Sequence, residues 1–199
     1  MALSWKVPQS VRTTFQDDLK QVYHSELELL RDALPSRFLP SVQSCIDHLR
    51  DIMSLPMVLS HSDLSSSNIM VDETTCHLNS VLDWAEAEVC PFGLNLQCIE
   101  GVTGKLHLRD GWIRYEDYDT LQQTFWDRFL TEVGGLSTQE IRVIKLASVL
   151  GVLLFYGLDS GTPYQTARVP IRDDEVGRYR MLSLDGFLIN PGTRFDVVS

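Results

Sequence analysis

The chain has 199 residues with 27 acidic against 17 basic side chains, a net charge of −10 and a hydrophobic fraction of 44%. That length suits one domain, which can bury about 70% of its unfolded surface and so build a real core. The acidity and the lack of a basic stripe exclude nucleic acid as the expected partner, and no run approaches the roughly 20 apolar residues of a membrane span.

In chain order, Phe15, Leu19, Val22, Tyr23, Leu27, Leu30 and Leu34 recur at three- and four-residue intervals until Pro35. They predict an amphipathic helix of about twenty residues with one buried face. Val42, Cys45, Ile46, Leu49, Ile52 and Met53 predict a second helix, capped by Ser41 and ended by Pro56. The period then changes. MVLSH (57–61), NIMV (68–71) and NSVLDW (79–84) are short apolar runs, with the turn chemistry of VDETTC between the last two. Short strands are expected to frame two loops here, one holding Asp63 and Asn68 and the other opening at Asp83.

The remainder reads as helical. PFGLNLQCIEGV predicts a helix after Pro91, and Tyr118, Leu121, Phe125, Phe129 and Val133 form a stripe that stops at Gly134 and Gly135. Ser137 and Glu140 make a capping box opening the apolar run IRVIKLASVLGVLLFYG, expected to be the central buried helix. A last helix is predicted over 174–188, with Val176, Tyr179, Leu182 and Phe187. The expected fold is mainly α with a small β insertion (α+β), one domain over 1–199, with a polar segment at 57–96 and a helical remainder at 97–199.

The opening MALSWKVPQS has neither the basic n-region nor the apolar h-region of a secretory signal, so a cytoplasmic location is expected. Cys45, Cys76, Cys90 and Cys98 match no metal or C-x-x-C spacing and read as reduced, mostly buried thiols.

The stretch HSDLSSSNIMVDETTCHLNSVLDWAEAE carries the chemistry. Asp63, in a loop after a strand, can take a proton from a substrate hydroxyl, while Asn68 and Asp83 offer the hard oxygen ligands that Mg2+ prefers. Asp, Asn and Ser also fill loops simply to satisfy nearby backbone, and His61 alone reads first as a structural hydrogen-bonding group. The order H-x-D-x4-N, strand, turn, then an apolar strand ending in Asp-Trp is far rarer than its parts.

In this order the segment resembles the catalytic loop and metal-binding segment of the aminoglycoside phosphotransferase and choline kinase group. The usual forms there are H-G-D-x4-N and a hydrophobic pair before Asp-Trp or Asp-Phe. GLNLQCIEG, FWDRF and the run near 141–157 are similar to fungal members. The resemblance implies the C-terminal lobe of a protein-kinase-like fold, with Asp63 as catalytic base, Asn68 and Asp83 as magnesium and cofactor ligands, and His61 as the residue ordering the loop. Ser65, Trp84, Glu86, Phe92 and Trp112, with Ser62, are candidate lining residues.

Two substitutions depart from the pattern. Ser62 stands where the group usually has Gly, which favours a reshaped loop, and Asn95 stands where an acid often follows the metal segment. The larger departure is that no Gly-rich phosphate loop or V-A-I-K-like strand precedes the first helix, and the early lysines are only Lys6 and Lys20. Phosphoryl transfer rests on positioning and electrostatics, and positioning alone supplies roughly 7–11 kcal/mol of barrier reduction. The expectation is therefore a small-molecule enzyme repurposed to work without ATP, with Asp63 as its acid or base. The alternatives are a Mg-ATP-dependent phosphotransferase completed by a partner supplying the nucleotide lobe, and a non-catalytic binding protein. A homodimer over the uncovered cleft face is the other expected partnership.

Overall fold

A computed structural model describes residues 1–159 and 168–194. The architecture is α+β and mainly helical, with small antiparallel sheets, as the periodicities predict. Among the described residues no helix is long and apolar enough to cross a membrane.

The centre is α7 (Thr138–Gly157), which opens with the predicted capping box. The Ser137 hydroxyl oxygen accepts from the Glu140 backbone N–H at 3.2 Å, and Glu140 Oε2 accepts from the Ser137 backbone N–H at 2.8 Å. Two of the four orphan donors at a helix start are satisfied in this way. Twelve of the 20 residues of α7 are buried. Against it pack α2 (Thr13–Ala33), α3 (Leu39–Asp47), α4 (Leu49–Met53) and α8 (Arg178–Leu184). Fully buried Leu27, Leu30, Phe38, Val42, Ile52, Ile144, Leu150 and Phe187 belong to the resulting core.

Several sequence expectations are corrected. The second predicted helix divides at His48, whose backbone leaves helical geometry (φ −107°, ψ 12°), although its apolar stripe is buried as expected. Phe15 and Val22 fit the stripe of α2 by period but remain exposed, because the buried residues of that helix, Tyr23, Leu27 and Leu30, begin only at Tyr23. The predicted last helix begins at Arg178, four residues late. Asp174 Oδ1 accepts from the backbone N–H groups of Val176 and Gly177, holding that stretch as a turn and leaving Val176 91% exposed.

Other elements carried no clear periodic signal. Helix α1 (Ala2–Lys6) is fixed by Trp5, whose ring meets Phe92 edge-on at 5.1 Å. The predicted helix after Pro91 is instead the end of a strand, a tight turn at Leu94–Leu96 and a short α5 (Gln97–Val102). A hairpin of β5 (Gly104–His107) and β6 (Gly111–Arg114) precedes α6 (Tyr118–Val133). Its Arg114 forms a buried ion pair with Glu100 at 2.7 Å, and Tyr118 and Gln122 also donate to that carboxylate.

The polar segment is framed by two antiparallel pairs. Strand β1 (Met57–Ser60) pairs with β4 (Glu88–Pro91), Met57 opposite Pro91 and Ser60 opposite Glu88. Strand β2 (Ile69–Val71) pairs with β3 (Leu78–Val81), Ile69 opposite Val81. The first pair reaches the core through the turn after β4, which sits directly on α7. A Cβ at Gly151 would lie 1.8 Å from the Leu94 carbonyl oxygen, so only glycine permits that approach. The remaining described strands, β7 (Leu158–Asp159) and β8 (Val169–Pro170), form a short pair after α7.

Candidate functional site

The loop after β1 and the loop after β3 are fastened to each other through Leu82. His61 is buried and donates from Nε2 to the Leu82 carbonyl oxygen at 2.6 Å, while the Leu82 backbone N–H donates to the Asn68 carbonyl oxygen at 2.8 Å. A carbonyl can only accept, so the imidazole carries a proton on Nε2. Its Nδ1 is buried and has no partner among the described residues. Asp83 follows directly in the left-handed region (φ 56°), a conformation that Asp tolerates better than most side chains. Trp84 then folds back, donating its indole N–H to the Val81 carbonyl at 3.0 Å and packing edge-on against His61 at 4.9 Å.

Asn68 orients Asp63. Its Nδ2 donates to the Asp63 backbone carbonyl at 2.8 Å and to the Asp63 carboxylate at 3.2 Å. The amide oxygen is left for another partner. Asp63 itself is exposed, and the Asp83 carboxylate makes no hydrogen bond or ion pair among the described residues.

Ser62 and Asn95, the two residues that depart from the expected motif, both acquire partners. Ser62 keeps an ordinary negative φ, so this loop does not require glycine there, and its hydroxyl donates to Glu88 Oε1 at 2.9 Å. Asn95 donates from Nδ2 to the His61 carbonyl oxygen at 2.7 Å. An ionised carboxylate could only accept, so an acid at 95 would face that carbonyl without a proton to share.

A cleft of about 210 Å3 opens beside the loop, lined by Ser62, Asp63, Ser65, Trp112, Phe155 and Tyr156 among others. Of the predicted lining residues, Ser62, Ser65 and Trp112 therefore meet Asp63 in one cavity. Trp84 and Phe92 line a separate, more apolar recess of about 330 Å3 together with His61. Phe92 is chiefly a core residue, stacked on Phe129 at 5.3 Å. Glu86 is exposed and lines neither space. Phe155, Tyr156 and Val102 carried no sequence signal, because a side chain facing a cleft from an apolar helix has the same composition as one facing the core.

The other titratable groups of the cleft are poor acid–base candidates. Burial pushes the Cys98 thiol and the Tyr156 phenol each up to about 12, so both stay protonated at neutral pH. The carboxylate of Asp63 is the charged group of the lining. For a metal, no three His, Cys, Asp or Glu side chains converge among the described residues. The Asn68 amide oxygen, just before β2, and the Asp83 carboxylate, just after β3, have no partner among the described residues. Each is a hard oxygen donor of the type Mg2+ takes.

The chain matches no family model, no curated protein and no solved structure.

Proposed function

We propose that the chain is a small-molecule enzyme on a lobe of the aminoglycoside phosphotransferase and choline kinase type, in which Asp63 is the acid–base group and ATP is not required. The observation that carries this reading is the placement of Asp63: its carboxylate stands at the cleft, held by Asn68, beside thiol and phenol groups that burial keeps neutral. A carboxylate so placed takes a proton from a substrate hydroxyl, or returns one to a leaving oxygen, within hydrogen-bond reach. No Lys, Arg or His lines the cleft among the described residues, so the chain offers no cation there for nucleotide phosphates.

The test is turnover of a panel of small hydroxyl compounds, followed by NMR without nucleotide and again with Mg-ATP. Asp63-dependent turnover without nucleotide is expected, and its absence in Asp63→Asn. Turnover that appears only with Mg-ATP overturns ATP independence.

A second reading, Mg-ATP-dependent phosphoryl transfer to a hydroxyl, is favoured by the free oxygen donors of Asn68 and Asp83. When bound, Mg2+ would neutralise phosphate charge; Asn68 and Asp83 would hold it, and Asp63 would accept the hydroxyl proton. This reading needs phosphate-binding groups from a partner or from another part of the protein. Calorimetry with ATP and Mg2+ on the complete assembly decides it.

A further inference from the structure

We infer that the cleft beside Asp63 selects a small alcohol that carries a flat aromatic ring and no anionic group, with the ring seated on Phe155 and the hydroxyl directed to Asp63. The inference rests on the acid–base reading of Asp63 and adds the class of substrate.

Three observations meet in this cavity. The first is charge. Asp63 is the charged residue of the lining, and among the described residues no Lys, Arg or His faces the cleft. A carboxylate or phosphate ligand would be desolvated next to an anion with nothing to pair it.

The second is apolar exposure where the fold has no need of it. Helix α7 is mostly buried, yet Phe155 near its end is 44% exposed and stands on the cleft. Val102, at the end of α5, is 41% exposed on the same cleft. The rings of Trp112 on β6 and Tyr156 on α7 line the same cleft and can meet a flat ligand.

The third is size and polar placement. At about 210 Å3 the cavity falls below the roughly 300–1,000 Å3 of sites for drug-sized ligands, which suits one or two fused rings. Its serine hydroxyls and its carboxylate come from the 62–66 loop, whereas the exposed apolar side chains of Val102 and Phe155 come from α5 and α7, which also bring Gln97, Cys98 and Tyr156. A ligand with one polar end and one flat apolar end matches that division, whereas a polyol sugar would place hydroxyl groups against Phe155 and Val102.

The experiment uses one ring with two head groups, 2-naphthalenemethanol and 2-naphthoate, with glucose as the polyol, measured by calorimetry and ligand-observed NMR. The alcohol is expected to bind, and the other two to bind at least about tenfold more weakly. Phe155→Ala should weaken the alcohol at least about fivefold, and because Phe155 is partly exposed the variant keeps its core. Asp63→Asn should change alcohol binding less than about threefold, since an amide can still hydrogen-bond the hydroxyl. Tighter binding of the naphthoate or glucose overturns the inference, as does an unchanged affinity in Phe155→Ala. Failure of the underlying reading looks different. Alcohol binding that depends on Phe155, alongside turnover that survives Asp63→Asn, removes the acid–base role and leaves the substrate class standing. Asp63-dependent turnover of glucose or another polyol does the reverse.

Discussion

His61 and Leu82, 21 residues apart, are joined by a hydrogen bond of 2.6 Å from imidazole Nε2 to the backbone carbonyl. That bond fixes the loop bearing Asp63 against the segment bearing Asp83. Replacing His61 by Phe keeps the ring volume and the contact with Trp84 but leaves the Leu82 carbonyl without its donor. A loss of about 1–3 kcal/mol is expected, read as a lower urea midpoint with unchanged slope. Activity should fall with it, because Asp63 is two residues from the lost anchor.

Asn68 and Asp83 separate the two readings of the site. Asn68→Ala removes the bonds that orient Asp63, so turnover should fall under either reading. Asp83→Ala should leave nucleotide-free turnover within about threefold, since the carboxylate touches neither Asp63 nor the cleft, while a Mg2+-dependent reaction would lose about 100-fold or more. Steady-state rates with and without Mg2+ distinguish the outcomes.

Close packing of the turn after β4 on α7 makes Gly151→Ala a severe change. The added methyl would meet the Leu94 carbonyl oxygen at 1.8 Å, and the backbone on one side or the other must shift. The expected cost is about 3 kcal/mol or more, seen as a depressed thermal midpoint or insoluble protein. Gly101→Ala, which meets nothing within 4 Å, is the control on α5 and should change stability by less than about 0.5 kcal/mol.

The buried pair of Glu100 and Arg114 predicts a pH signature. Burial raises the Glu100 carboxyl above its usual value of 4.5, despite the opposing pull of Arg114, Tyr118 and Gln122. A carboxyl whose folded pKa is raised favours the folded state below its unfolded value, and that contribution is lost as pH rises through the folded value. Glu100→Gln should therefore flatten the decline in unfolding free energy as pH rises above 4.5, measured by denaturant titration at several pH values. Arg114→Met strands the carboxylate and should cost about 3–5 kcal/mol at neutral pH.

Thiol labelling checks the burial pattern. Burial pushes Cys45, Cys90 and Cys98 up to about 12, whereas Cys76 is exposed in the turn between β2 and β3. Ellman's reagent should modify Cys76 rapidly in the native protein, and all four cysteines only after denaturation.

The amino-acid sequence by itself determined the elements whose signals are local. Leucine spacing set the buried face of α2, Ser137 and Glu140 set the start of α7, and alternation with turn residues placed β1, β2 and β3. It also placed Asp63, Asn68 and Asp83 in the loops at the ends of those strands, because loop position follows from the strands on either side. Tertiary structure decided what depends on partners distant in sequence. Asp174 held its own turn in preference to starting a helix, and Phe15 and Val22 stayed exposed. Ser62 gained Glu88, and Asn95 gained the His61 carbonyl. Most of all, the cleft was only partly legible along the chain: Ser62, Ser65 and Trp112 were expected to line it, and Phe155 and Val102 were not. Those two read locally as ordinary core residues, and only the meeting of α5, β6 and α7 beside the Asp63 loop leaves them exposed, because a cavity is a property of packing between elements and not of any one of them.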